Sequence, residues 1–306
     1  MTVFYLILAL LAGAGLPVQA AANARLSKAI GNPYAATTLQ LSLAAALLLL
    51  AAAARGDLAG LSRFAQAEPW QWLAGLASAA YVIAGIVLMP RIGAVATVGL
   101  FITGQAAASL LLDGAGLLGM PRRAFTALTW LGIVAVALGI ALVVRGQAPA
   151  RGAPRIKAGW ILLGCACGGL LPLQGAVNAG LARVLNAPLA VSLASFIVAA
   201  AGMAVVLGLL TAFGGQARPR LAGLRELPWW GWLGGVVGAC YVTTVFSAMP
   251  VIGAAATVGA TIAGQQIASV LIDRHGLLGL PRNAVPAVRL AGIAALLGGI
   301  LAIRLS

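Results

Sequence analysis

Amides, hydroxyls and carboxylates recur inside the apolar runs of this chain, where each must find a polar partner or a wet surface. Gln19 and Asn23 are four residues apart and share one face of a helix. Gln174 and Asn178 repeat the pair. Thr97, Gln105, Ser109 and Asp113 follow at steps of eight, four and four, which makes one polar stripe on a helix. Thr257, Gln265, Ser269 and Asp273 repeat the stripe, and Tyr81 is repeated by Tyr241. Two chemistries fit these groups. They can contact a hydrogen-bonding solute, or they can bond neighbouring helices at ~0.6–2 kcal/mol per contact. Gln105 and Gln265 lie about 12 residues into their runs, ~18 Å at 1.5 Å per residue, slightly past the middle of a ~30 Å hydrocarbon layer. Asp113 and Asp273 close their runs near Arg122 and Arg282. They read either as interfacial carboxylates paired with a loop arginine or as carboxylates that couple a proton.

Other chemistries find little support. Cys165, Cys167 and Cys240 all lie in apolar runs and read as small packing residues. His275 is the single histidine, so no metal site and no cofactor is expected. Gly114-x-Gly116-x-x-Gly119 has the letters of a dinucleotide fingerprint, but it follows an apolar run instead of a strand, and its repeat begins with Arg274. No G-x-x-x-x-G-K-[ST] loop occurs. The acids Asp57, Glu68, Asp113, Glu226 and Asp273 are too scattered for an enzyme centre at a membrane face.

The elements that position the polar groups follow from composition. Of 306 residues, 62% are hydrophobic and 8% charged, against roughly 25% charged in a soluble domain. Mean hydropathy is +1.05. The chain therefore reads as an all-α integral membrane protein. Near-spanning runs fall at 3–24, 34–54, 70–89, 93–112, 125–144, 158–179, 189–213, 229–248, 253–272 and 286–304. The first run lacks a basic leader region and recurs in mid-chain, so it reads as a retained helix. Pro17 and Pro172 sit late in the first run of each half and predict a kink, a helix end or a broken helix. Trp70, Trp72, Trp229, Trp230 and Trp232 open the third and eighth runs as interfacial anchors. Gly-x-x-x-Gly patterns at Gly164/Gly168, Gly231/Gly235 and Gly234/Gly238 signal close helix packing.

The net charge of +14 is spread through the breaks between runs, which points to membrane orientation and not to nucleic acid. Alternating spans leave six basic residues on one side, including Arg55 and Arg63. The other side holds thirteen, including Arg25, Lys28, Arg91 and the 145–157 cluster. The richer side is expected in the cytoplasm, which puts both termini in the periplasm.

An internal repeat is the strongest signal. Leu16-Pro17-x-Gln19-x-x-x-Asn23-Ala24 returns as Leu171-Pro172-x-Gln174-x-x-x-Asn178-Ala179. Met89-Pro90-x-Ile92-Gly93-Ala94 returns as Met249-Pro250-x-Ile252-Gly253-Ala254. Gly104-Gln105-x-x-Ala108-Ser109 and Gly116-Leu117-Leu118-Gly119-x-Pro121-Arg122 return from Gly264 and Gly276 onward. The division is a first unit at 1–146, a linker at 147–157 and a second unit at 158–306. Five spans per unit is an odd number, so the units must be inverted relative to each other, giving about ten transmembrane helices.

These motifs resemble the YdcZ-like branch of the drug/metabolite transporter (DMT, EamA-like) superfamily, in its fused two-repeat form. The resemblance implies a secondary transporter, often an exporter, in the bacterial inner membrane. It carries no substrate and no functional residues with it. Together with the lack of mid-span charge, it leads to an expected partner that is a small neutral or zwitterionic metabolite. The alternative is a non-transporting membrane scaffold or membrane enzyme. The candidate solute contacts are Gln105, Gln265, Ser109, Ser269, Gln19, Asn23, Gln174, Asn178, Tyr81 and Tyr241, with Asp113 and Asp273 as possible coupling groups. A homodimer is compatible with this reading but not required by it.

Overall fold

A computed structural model describes residues 2–146, 157–214, 218–279, 282 and 284–305. The expected linker at 147–157 lies, but for Lys157, outside the described residues. Among those described there are ten α-helices and no strand. They are α1 (Thr2–Ile30), α2 (Pro33–Arg55), α3 (Gly75–Ile92), α4 (Ala94–Ala115) and α5 (Ala127–Gly146), then α6 (Ala158–Leu185), α7 (Pro188–Phe213), α8 (Leu233–Ile252), α9 (Ala254–His275) and α10 (Ala287–Leu305). Eight are long and apolar enough to cross a membrane; α5 and α10 carry shorter apolar stretches, Ala127–Val143 and Ala287–Ile303.

Two expectations change. α1 and α6 run on to Ile30 and Leu185, beyond the apolar runs at 3–24 and 158–179. Hydropathy falls at Arg25 and Lys28, yet Leu26 and Ile30 are buried, so the polar turns still have an apolar face to bury. Both helices continue unbroken through Pro17 and Pro172, so neither proline ends or breaks its helix, and the kink is the reading left. The tryptophans stand at the start of the third and eighth spans, Pro69–Ile92 and Trp229–Ile252, in 3-10 segments, Pro69–Ala74 and Trp229–Trp232, that lead into α3 and α8.

The two halves repeat their joints in detail. A single glycine joins α3 to α4 and α8 to α9: Gly93 with φ +85 and ψ 154, Gly253 with φ +92 and ψ 157. That backbone is open to glycine at no steric cost. The Gly-Leu-Leu-Gly turns after α4 and α9 also match, with Leu118 at φ 54 and Leu278 at φ 57.

Glycines let the helices approach closely. Gly132 on α5 faces the Gly299 carbonyl on α10 and Gly139 faces that of Gly292, so the two helices run antiparallel. Gly13 of α1 lies on Thr261 of α9, and Gly168 of α6 lies on Phe101 of α4. Gly75 of α3 lies on Ser195 of α7, and Gly235 of α8 on Gln40 of α2. In the principal contacts α1 packs on α8 and α9, while α6 packs on α3 and α4, so each half's first helix rests on the other half.

Candidate functional site

That exchange places the repeated amides of α1 and α6 at the junction between halves. On α6, Gln174 accepts a hydrogen bond from Ser78 Oγ of α3 at 2.8 Å, and Asn178 accepts one from Ser195 Oγ of α7 at 2.8 Å. On α1, Gln19 lies against Gly238 and Asn23 against Gly234, both on α8. Two repeat-related atoms, Asn23 Oδ1 and Asn178 Nδ2, are buried without a hydrogen-bond partner. A buried amide atom left unpaired costs about 1–3 kcal/mol, which marks both asparagines as able to take a further polar group.

Gln40 of α2 was not singled out by sequence. Its Nε2 donates to the Gly231 carbonyl at 2.7 Å, and its Oε1 accepts from the Gly235 amide at 2.7 Å. It pins the junction between the Trp-rich turn and α8. Its place in the second half is taken by Ser195. Nothing in its apolar run at 34–54 announces a partner so distant in sequence.

The polar stripe of α4 is buried: Thr97, Gln105, Ser109 and Asp113 are all at most 3% exposed. Thr97 and Thr257 make the same local bond, Oγ to the carbonyls of Gly93 and Gly253. Ser109 donates to the Ala106 carbonyl and lines a cavity of about 260 Å³ between α4, α5, α9 and α10. Thr103, Ile133, Val258 and Ile262 share that lining; Gln105 is not part of it. On α9, Gln265 and Ser269 are half-buried, and the fully buried amide is the neighbouring Gln266. The first half has alanine, Ala106, at the equivalent position, so the repeat gave no reason to single out Gln266.

Tyr81 of α3 and Tyr241 of α8 come within electrostatic reach of one another. The Tyr81 ring packs 4.4 Å from Phe101, and the Tyr241 hydroxyl bonds to Thr261.

The carboxylates do not pair with Arg122 and Arg282. Those arginines hold the backbone carbonyls of Gly114 and His275. Asp113 accepts bonds from the amides of Ala254 and Ala255 at 2.8 Å each. Asp273 pairs with Arg289 at 2.7 Å, and Arg289 also donates to Ser269 at 2.8 Å. The sequence offered the nearest arginine in the loop, but those loops turn back on their own helix ends, and the start of α10 reaches Asp273 instead. Among the described residues, no three His, Cys, Asp or Glu side chains come together.

The family model described as "Putative inner membrane exporter, YdcZ" matches residues 4–142 and again 159–302. The chain belongs to that family. It carries the family's unit twice, as the fused two-repeat form of this DMT branch. No curated protein sequence matches the chain. One solved structure, described only as "Crystal structure of protein", aligns over 99% of this chain and 96% of its own, with 17% identity and a TM-score of 0.69. That likeness speaks for the fold alone. Family membership and the apolar helices make this a multi-pass protein of the inner membrane.

Proposed function

We propose that this protein is a secondary transporter that exports a small neutral or zwitterionic metabolite. Its two units, 1–146 and 158–306, would each span the membrane five times in opposite senses, ten spans in all, with both termini in the periplasm. One chain would hold the whole pathway.

The observation that carries this reading is the pair of repeat-related asparagines with unpaired buried amide atoms. They stand on the helices that each half lends to the other. Their loose ends suit a ligand's carbonyl, hydroxyl or amine, and the carboxylates at hand stand at helix ends and are already bonded. A path lined by amides and phenols binds through hydrogen bonds and selects against net charge. Gln19, Gln174, Tyr81, Tyr241, Gln105, Gln265, Ser109 and Ser269 are its proposed lining. Inverted-repeat transporters hold their sites near the midplane at the repeat interface, and Tyr81 with Tyr241 best fits that place. Solute counterflow in vesicles containing the purified chain tests the reading, and Asn23→Leu and Asn178→Leu are expected to lower it at least tenfold.

A further inference from the structure

The first half carries a cleft that the proposed solute path does not use. It lies where α4 ends and α5 begins and has a volume of about 700 Å³. Leu110, Leu111, Arg122, Arg123, Phe125 and Trp130 are among its walls. The cleft opens at the end of the bundle where α1 begins: Arg123 stands against Gly253, and the preceding Ile252 packs with Tyr5 and Leu6.

One wall is cationic. Arg122 donates its Nε to the Gly114 carbonyl at 3.2 Å, which holds its guanidinium at the cleft. Arg123 is half-buried, and its Nε is buried without a hydrogen-bond partner. Asp113 stands beside it at Gly253, but its two oxygens accept from the amides of Ala254 and Ala255. A buried donor left unpaired is costly, more so on a charged group, and the planar guanidinium fork matches the oxygens of a phosphate.

The other wall is apolar. Leu110 and Leu111 lie a turn deeper on α4 than Gly114 and Ala115, and Leu111 is 63% exposed. Phe125 and Trp130 meet edge to face, with ring centroids 5.6 Å apart. A free phosphate needs only the arginines. Leucines and aromatic rings set directly below them suit a phosphate that carries acyl chains, and tryptophan at a span end suits the depth of the headgroups.

The repeat shows that these residues are not a requirement of the five-helix unit. Arg122 recurs in sequence as Arg282, but the positions of Arg123, Phe125 and Trp130 hold Asn283, Val285 and Leu290.

We propose that this cleft binds one anionic phospholipid, with its phosphate on Arg122 and Arg123 and its chains along Leu110, Leu111, Phe125 and Trp130. Basic pockets between membrane helices hold anionic headgroups in this way. A net negative headgroup answers two arginines, whereas a choline would set a third cation beside them. The bound lipid ties the end of α4 to the start of α5, and the site stands whether or not the chain transports.

Native mass spectrometry of the full-length chain, with phosphatidylglycerol or phosphatidylcholine added to the detergent, tests the proposal. Phosphatidylglycerol is expected to bind roughly tenfold more tightly or better, from two arginines near one headgroup. Arg122→Gln combined with Arg123→Gln is expected to erase that preference. Arg282→Gln, the repeat-related change, is expected to leave it intact. Equal binding of the two lipids by the unaltered chain overturns the proposal. So does a preference that survives the double substitution, or one lost equally in Arg282→Gln. Displacement of the lipid by glycerol phosphate at matching concentration would assign the cleft to a free phosphate compound and also overturn it. Should the double variant fail to fold, the unaltered chain decides. Phosphatidylglycerol with a diazirine on its acyl chain is expected to cross-link to Leu110, Leu111, Phe125 or Trp130, and cross-links found only elsewhere overturn the site.

Discussion

Gly298 and Gly299 are neighbours on α10, yet alanine is expected to act oppositely at the two. A Cβ at Gly299 would stand 2.7 Å from the Gly132 carbonyl oxygen and 2.8 Å from the Val136 amide nitrogen of α5. Both are backbone atoms, so no side chain can swing aside. To reach an ordinary contact of about 3.4 Å, α5 and α10 must part by roughly 0.7 Å along their glycine seam. Overpacking of this kind costs about 1–3 kcal/mol. At Gly298 a Cβ meets nothing within 4 Å, and only the helix propensity gain of about 1 kcal/mol remains. That gain is common to both variants, so their difference isolates the packing cost. Gly299→Ala is therefore expected to be less stable than Gly298→Ala by about 1–3 kcal/mol. Reversible unfolding of the purified chain by SDS in mixed micelles measures it. A difference under about 0.5 kcal/mol would refute the close approach of α5 and α10 and the reasoning built on it.

The other expectations concern the polar groups and the orientation. Gln40→Leu removes a bonded donor and acceptor at once and leaves the Gly231 carbonyl and Gly235 amide without their partner, so it is expected to destabilise by about 1–3 kcal/mol for each group; wild-type unfolding behaviour would show that water replaces them. Gln105→Leu and Gln265→Leu are expected to abolish counterflow while leaving insertion and unfolding near normal; normal counterflow, or failure to fold, would assign these amides to the scaffold. Reporter fusions after Ser306 are expected to read as periplasmic, and a cytoplasmic readout would reverse the proposed orientation.

The helices were legible in sequence because their signal is hydropathy over some twenty residues, and the repeat was legible because Gln, Asn, Asp and Trp recur in register. The ends were not. Arg25 and Lys28 pull a hydropathy window down, although Leu26 and Ile30 keep α1 packed through its last turns. The Trp-rich turns were legible as the starts of their spans but not as 3-10 segments, since that tight winding leaves no periodic mark over so few residues. At the site, sequence could place Gln174 and Asn178 on one face but could not show that Ser78 and Ser195 meet them. Nor could it tell Asp113 from Asp273. That difference arises from Arg289, which one half has and the other lacks.

The central claim is that this chain by itself moves an uncharged or zwitterionic solute between its two halves. Counterflow with the purified chain as the only protein in the vesicles, against a panel of neutral, zwitterionic, anionic and cationic metabolites, tests it most directly. The account expects exchange of at least one neutral or zwitterionic compound, lost in the Asn23→Leu and Asn178→Leu variants. Exchange of only strongly charged compounds, or of none by a folded and correctly inserted chain, would contradict it.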